Sequence, residues 1–203
     1  QGPDRGGPMA WVTIDEVAAA MRDGAIAVIP TDTVYGVAAL PAAAAGIFEL
    51  KQRSRDKALP VLGSGVVQLG EVAELDLTAR LLAEKHWPGP LTLVVPRAKG
   101  FTADLGGTDP ETVAVRVPAH PVALELLRRT GPLAVTSANV SGEPPATTYE
   151  AACALAPEIL CLDGGTCDGV PSTVLGLVGE PVVFRDGGLD GRALIDSISR
   201  TEW

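Results

Sequence analysis

The chain has 203 residues and a formal charge of -9, from 25 acidic and 16 basic side chains. That length favours one domain with its own core. With 46% hydrophobic and 20% charged residues, disorder, a collagen-like repeat and a long coiled coil are excluded. The acidic balance argues against a nucleic-acid binder that is basic over its whole surface.

Residues 1–8, QGPDRGGP, hold no apolar segment of a secretory signal. They read as a disordered flap or a remnant ahead of Met9, with residues 9–203 as a single domain. Thr13 and Glu16 have capping-box spacing, so a helix starts there. It carries Val17, Ala18 and Met21 at helical spacing and stops at Gly24. Residues 25–29 are a short apolar run between Gly24 and Pro30, the pattern of a buried strand. A helix follows over 42–50, then a strand over 59–62. Asp76 is placed to cap a helix over Leu77–His86, which Trp87-Pro88-Gly89-Pro90 breaks. Strands over 91–95 and 112–117 precede a helix over 121–129, with Pro121 in its first turn and Gly131 beyond its end. Next come a strand over 133–136, a helix over 149–156, strands over 159–162, 173–178 and 182–184, and a closing helix over 192–198.

Buried strands with helical connections make the class α/β, and the tight turn between the last two strands makes the sheet mixed. No uninterrupted run of about 20 apolar residues occurs, so no membrane span is expected; the expectation is a soluble, cytoplasmic protein. The three cysteines, Cys153, Cys161 and Cys167, form no CxxC and are odd in number. They argue against a disulfide framework and a zinc site.

The standard nucleotide, hydrolase, zinc-protease and EF-hand fingerprints are all missing. Polar residues gather instead at the ends of apolar strands, where α/β folds place their sites. Pro30-Thr31-Asp32-Thr33-Val34-Tyr35-Gly36 follows the first strand, and reads equally as a site or as a turn that satisfies its own backbone. Lys51-Gln52-Arg53-Ser54-Arg55-Asp56-Lys57 is rich in cations. If this segment is extended, Lys51, Arg53 and Arg55 point one way and suit phosphate oxygens; otherwise they form a solvated helix end at the negative pole of the dipole. Ser137 and Asn139 follow another strand and are two apart, so an extended chain shows both on one side. Arg116 sits inside an apolar strand, where it must be paired or face a cleft: a structural ion pair or a carboxylate clamp. Ser172 precedes an apolar strand, and Arg185 ends the next.

The order of these blocks resembles the YrdC-like family, the threonylcarbamoyl-AMP synthases. The matching stretches are GAIAVIPTDTVYGVAA from Gly24, KQRSRDKALPVL from Lys51, WPGPLTLVV from Trp87, TVAVRVPAHP from Thr112, TSANVSGEPPATT from Thr136 and PSTVLGL from Pro171. They span nearly the whole chain after Met9.

The resemblance implies a twisted mixed α/β sheet flanked by helices, with a concave, locally basic face, in the short form with the YrdC-like domain alone. It implies a nucleotidyltransferase that makes L-threonylcarbamoyl-adenylate and pyrophosphate from L-threonine, bicarbonate and ATP. Mg2+ accompanies the ATP, and no metal is held by the protein. The product feeds a tRNA threonylcarbamoyl transferase complex. On the matched positions, Thr33, Arg116 and Ser172 hold threonine, with Arg116 meeting its carboxylate and Tyr35 walling the pocket. Lys51 and Arg53 face the phosphates and carry catalysis, with Lys57 beside them. Thr112, Ser137, Asn139, Thr147 and Arg185 complete the nucleotide site. Asp32 is a candidate to take the proton from the amine or to order its loop. The chain departs from the family pattern at Ser54, where Lys-x-Arg-Pro has Pro, and at Leu62, where many relatives have a His that contacts threonine. The alternatives are a carbamoyl-adenylate-forming carbamoyltransferase domain, and a double-stranded RNA-binding or ribosome-maturation module; the family also allows weak RNA binding.

Overall fold

The computed structural model describes residues 12–140 and 142–199. The flap expected at residues 1–8, and Ser141, lie outside them. Helix α1 (Ile14–Arg22) opens on the expected capping box. Glu16 N donates to Thr13 Oγ1 while Thr13 N donates to Glu16 Oε2, so two otherwise orphaned donors are satisfied. Strand β1 (Ala27–Ile29) is wholly buried, and so is β2 (Gly36–Ala39), to which a turn of polar residues connects it. That turn hides β2 from sequence reading, because the strand is short and rich in small residues. A 3-10 turn at Pro41–Ala43 leads into α2 (Ala45–Lys51), so the helix expected at 42–50 is two elements. β3 (Val61–Leu62), a one-turn helix α3 (Val66–Leu69) and α4 (Leu77–His86) follow. Asp76 caps α4 by accepting from Ala79 N.

The second half continues with β4 (Leu91–Pro96), β5 (Thr112–Arg116), α5 (Pro121–Thr130) and β6 (Leu133–Ser137). It ends with α6 (Tyr149–Leu155), β7 (Leu160–Cys161), β8 (Thr173–Gly176), β9 (Val182–Arg185) and α7 (Gly191–Ser199). The strands form one nine-stranded sheet in the order β7-β1-β2-β6-β3-β5-β4-β8-β9. It is mixed: β1/β7, β3/β5 and β4/β8 run parallel and the other pairs antiparallel.

The sheet's two faces differ in their cover. On one, Val28, Val37, Val61, Leu93, Val113 and Val115 meet Ile47 and Phe48 of α2, Leu82 of α4, Ala152 of α6 and Leu194 of α7. On the other, Ala27, Ile29, Ala38, Leu62, Leu133 and Val135 lie under Val17 and Met21 of α1 and Leu126 and Leu127 of α5. That second cover stops short. Thr92, Ala114, Arg116 and Val174, on β4, β5 and β8, face a pocket rather than a helix.

Cys153 and Cys161 form a disulfide with Cα atoms 5.7 Å apart, which corrects the expectation of no disulfide framework. The chain turns back sharply between α6 and β7, bringing together two cysteines whose eight-residue separation matches no short motif. Cys167 is free and buried.

Candidate active site

The pocket on the uncovered face holds about 420 Å³. Its floor is built from alternate residues of neighbouring strands, which point to one side. Gly36 pairs with Ser137, Leu62 with Arg116, and Thr92 with Val174. Gly36 leaves room that no side chain could share, since a Cβ there would lie 2.5 Å from Val135 Cγ1 and 3.2 Å from the Thr136 carbonyl.

Arg116 is 5% exposed. Its Nε donates to Gly89 O (2.9 Å), Nη1 to Thr33 Oγ1 (3.1 Å) and Nη2 to Asp32 Oδ1 (2.5 Å). A guanidinium has five N–H groups, so one on each Nη stays available to a planar anion. Burial pulls its pKa down, the carboxylate of Asp32 pushes it back up, and the nearby Arg185 lowers it again. Arg116 is therefore ion-paired to Asp32 and at the same time faces a cleft.

The turn before β2 is wired by its own hydroxyls. Thr31 Oγ1 donates to Val34 O (2.6 Å), so its contact with Thr33 Oγ1 (3.1 Å) is one in which Thr33 donates. Tyr35 is fully buried; its hydroxyl donates to Gly165 O and accepts from Gly164 N. Burial raises that phenol's pKa to about 12. Across the pocket, Ser172 Oγ lies 2.8 Å from Thr92 Oγ1, and Arg185 Nη2 donates to both the carbonyl and the hydroxyl of Ser172.

Thr33, Tyr35, Arg53, Arg116, Ser137, Ser172 and Arg185 all line this pocket. Burial lowers the pKa of Arg53 and of Arg185, so three desolvated guanidiniums surround one space. The lining includes no Asp, Glu, His or Cys, a donor set that fits anions and does not fit a divalent cation held by the protein.

Five further residues that the resemblance assigns to the site, Lys51, Lys57, Thr112, Asn139 and Thr147, stand off the lining. Lys51, Arg53 and Arg55 do not share a side, because Lys51 is still helical and Gln52 turns the chain with a left-handed φ of 46°. Lys51 Nζ donates to Ser137 O (2.8 Å), Asn139 O (2.5 Å) and Asn139 Oδ1 (2.7 Å). All three ammonium protons are thus engaged, and burial followed by the charge of Arg53 lowers its pKa. Asn139 is turned the same way, its Nδ2 donating to Glu143 O. Arg53 closes its own turn onto the carbonyls of Lys57 and Ala58 and still reaches the pocket, while Arg55 pairs with Asp104 and stacks on Phe48. Lys57 is exposed. Thr112 shares the face of Ala114 and Arg116, further along β5. The carbonyl of Thr147 accepts from Cys167 N. Ser54, the departure from Pro, bonds Asp56 within the turn, and Leu62, the departure from His, lines the pocket. Thr92 was not foreseen. Its signal was a lone hydroxyl in the apolar run LTLVV.

Residues 19–187 match the Sua5/YciO/YrdC family model, described as telomere recombination. The chain belongs to the Sua5/YciO/YrdC family. A curated member, the threonylcarbamoyl-AMP synthase of Pyrococcus abyssi, is 42% identical over 83% of this chain and 52% of its own length. The threonylcarbamoyl-AMP synthase of Xanthomonas oryzae pv. oryzae is 34% identical over 86% of this chain and 93% of its own. The crystal structure of P. abyssi Sua5 complexed with L-threonine superposes with a TM-score of 0.80 at 36% identity, covering 93% of this chain and 58% of that one. The chain thus spans about half of the Pyrococcus relative and nearly all of the Xanthomonas one. The Sua5/YciO/YrdC fold accounts for the mixed twisted sheet flanked by helices. No helix among the described residues is long and apolar enough to cross a membrane.

Proposed function

We propose that this chain is a nucleotidyltransferase that makes L-threonylcarbamoyl-adenylate and pyrophosphate from L-threonine, bicarbonate and MgATP. The observation that carries this reading is Arg116: a buried guanidinium with an N–H free on each Nη, in a pocket that also holds the guanidiniums of Arg53 and Arg185. Such a site suits an amino-acid carboxylate at one end and phosphates at the other. The kinship to curated synthases, and to a Sua5 bound to L-threonine, supports the same assignment.

In this reading Arg116, Thr33 and Ser172 hold threonine against the wall made by Tyr35 and Leu62. Arg53, Ser137 and Arg185 face the nucleotide. Lys51, through its three acceptors, holds the loop of Ser137 and Asn139 in place. The neutral amine of threonine attacks the carbon of bicarbonate, or of the carbon dioxide in equilibrium with it. A C–N bond forms and a carbamate results: from bicarbonate a C–O bond breaks and the oxygen leaves as water with the amine proton, and from carbon dioxide a C=O π bond opens and the amine proton passes to solvent. A carbamate oxygen then attacks the α-phosphorus, and the bond to pyrophosphate breaks. No enzyme nucleophile takes part. The rate comes from holding three reactants together and from fixed cations facing the developing phosphate charge. Magnesium enters as part of MgATP, and the labile product passes to a tRNA threonylcarbamoyl transferase complex.

The test is pyrophosphate release from MgATP with bicarbonate, with and without L-threonine, alongside mass spectrometry of the mixture. Threonine-dependent release with the adenylate mass is the expected result. Release that ignores threonine, or that requires carbamoyl phosphate, overturns the proposal.

A further inference from the structure

The hydroxyl of Thr92 has a place in the pocket that the reading above leaves without a role. It lies on β4, whose neighbours Leu91, Leu93 and Val95 turn to the opposite, apolar face. Thr92 and Ser172 are 5% and 6% exposed, and their hydroxyl oxygens are 2.8 Å apart. The parallel register of β4 and β8 pairs Thr92 with Val174, which puts Ser172, two residues earlier, on the same side.

Counting protons decides what this pair can do. A serine hydroxyl has one proton and two lone pairs. One lone pair of Ser172 already accepts from Arg185 Nη2 at 3.1 Å. If Thr92 donates to the second, Ser172 is full as an acceptor and its single proton must go outward, into the pocket. If Ser172 donates to Thr92 instead, it presents a lone pair to the pocket. With the guanidiniums of Arg116 and Arg185 lining the same space, the group received there is an anion, which the Ser172 proton meets in the first arrangement; in the second, Thr92 would turn its own proton there instead. Two donors onto one oxygen also polarise its O–H and strengthen the bond it gives.

We propose that Thr92 is a positioning residue: by giving its proton to Ser172 Oγ, it obliges Ser172 to donate to the carboxylate of the bound amino acid. This rests on the threonine-dependent reaction proposed above.

The test is a double-mutant cycle of Thr92→Val and Ser172→Ala, read as separate KM values for L-threonine and MgATP. Valine keeps the branched shape and removes the hydroxyl. Thr92→Val is expected to raise the threonine KM about tenfold, equivalent to about 1.4 kcal/mol, with kcat and the MgATP KM within about twofold. In the Ser172→Ala background the same change adds less than about twofold, because the group it acts through is gone. Thr92→Ser, which restores a hydroxyl, keeps the threonine KM within about threefold of the parent, and it carries the comparison if the valine variant does not fold. Equal effects of Thr92→Val with and without Ser172 overturn the inference, as does a threonine KM that does not move. A wild-type chain without threonine-dependent turnover overturns the proposed reaction and this inference together.

Discussion

Arg116 and Asp32 form an ion pair, Nη2 to Oδ1 2.5 Å, with side chains 6% and 15% exposed. It joins the end of β5 to the turn before β2, and it fixes the plane of the guanidinium from outside the pocket, whose lining does not include Asp32. Removing one partner of a buried pair leaves the other charge uncompensated, at a cost of about 3–5 kcal/mol. Asp32→Asn is therefore expected to lower the unfolding free energy from urea denaturation by an amount of that order and to weaken threonine binding as well. A variant of native stability and normal threonine KM would show that the pair does neither job.

Arg116→Ala separates the two ends of the pocket. Hydrogen bonds to a charged group contribute about 1.5–3 kcal/mol, so loss of the carboxylate contact should raise the threonine KM by at least about tenfold. The MgATP KM should change by less than about threefold. Equal rises in both would place Arg116 with the nucleotide.

Lys51 and Arg53 are neighbours in one cationic motif, and the structure divides their work. Lys51→Ala takes the ammonium donor from two carbonyls and from the Asn139 amide oxygen, which keeps only the Ser137 hydroxyl. It should cost about 1–3 kcal/mol and loosen the loop that bears Ser137. Arg53→Ala removes contacts to its own exposed turn, and should stay within about 1 kcal/mol of the parent while raising the MgATP KM. Thermal melting and steady-state kinetics on both variants decide this. Unchanged melting of Lys51→Ala with a raised MgATP KM would give the ammonium a direct part in phosphate binding.

The same motif marks where sequence reading stopped. Helix α1 and its cap, α4 behind Asp76 and the run of β4 were legible because local chemistry sets them. The seven sequence candidates that line the pocket come from six separate segments; Thr33 and Tyr35 lie between β1 and β2, Arg116, Ser137 and Arg185 end strands, Ser172 precedes β8, and Arg53 follows α2. Their meeting was foreseeable only from the order of the blocks. What could not be read was direction. The spacing of Lys51, Arg53 and Arg55 fits an extended segment, yet one left-handed residue, Gln52, sends them to three places. Thr92 was passed over because a single hydroxyl in an apolar strand carries no motif. Its meaning depends on Ser172, which is 80 positions away. The Cys153–Cys161 disulfide likewise follows from the return of the chain between α6 and β7.

Tyr35 gives a pH dependence with a definite sign. Its folded pKa of about 12 lies above the ordinary value near 10, because burial disfavours the phenolate. The folded state therefore prefers the protonated phenol. This contribution is fully present below about pH 10 and is lost as pH rises from there through about 12. Relative to Tyr35→Phe, which cannot ionise, the parent should lose stability across that window and run parallel to it below. A difference that is flat through the window would mean that the phenol ionises in the folded protein as it does in water.

Gly187 governs Ser172 through the backbone. A Cβ at this position would lie 2.2 Å from the Pro171 carbonyl oxygen, 2.5 Å from Ser172 C and 2.6 Å from Ser172 O. None of these is the flexible end of a side chain, so the segment carrying Ser172 must shift. That shift moves the carbonyl and hydroxyl that Arg185 holds, and with them the donor aimed into the pocket. Overpacking of this kind costs about 1–3 kcal/mol, a fall in melting temperature of about 2–12 °C for a chain of this size. Gly187→Ala should show that fall together with a raised threonine KM. Gly65→Ala is the comparison. Gly65 is extended at φ 171° with nothing within 4 Å of an added Cβ, and its substitution should leave both quantities near the parent values. Gly187→Ala with lowered stability but an unchanged threonine KM would show that the position of Ser172 does not control amino-acid binding.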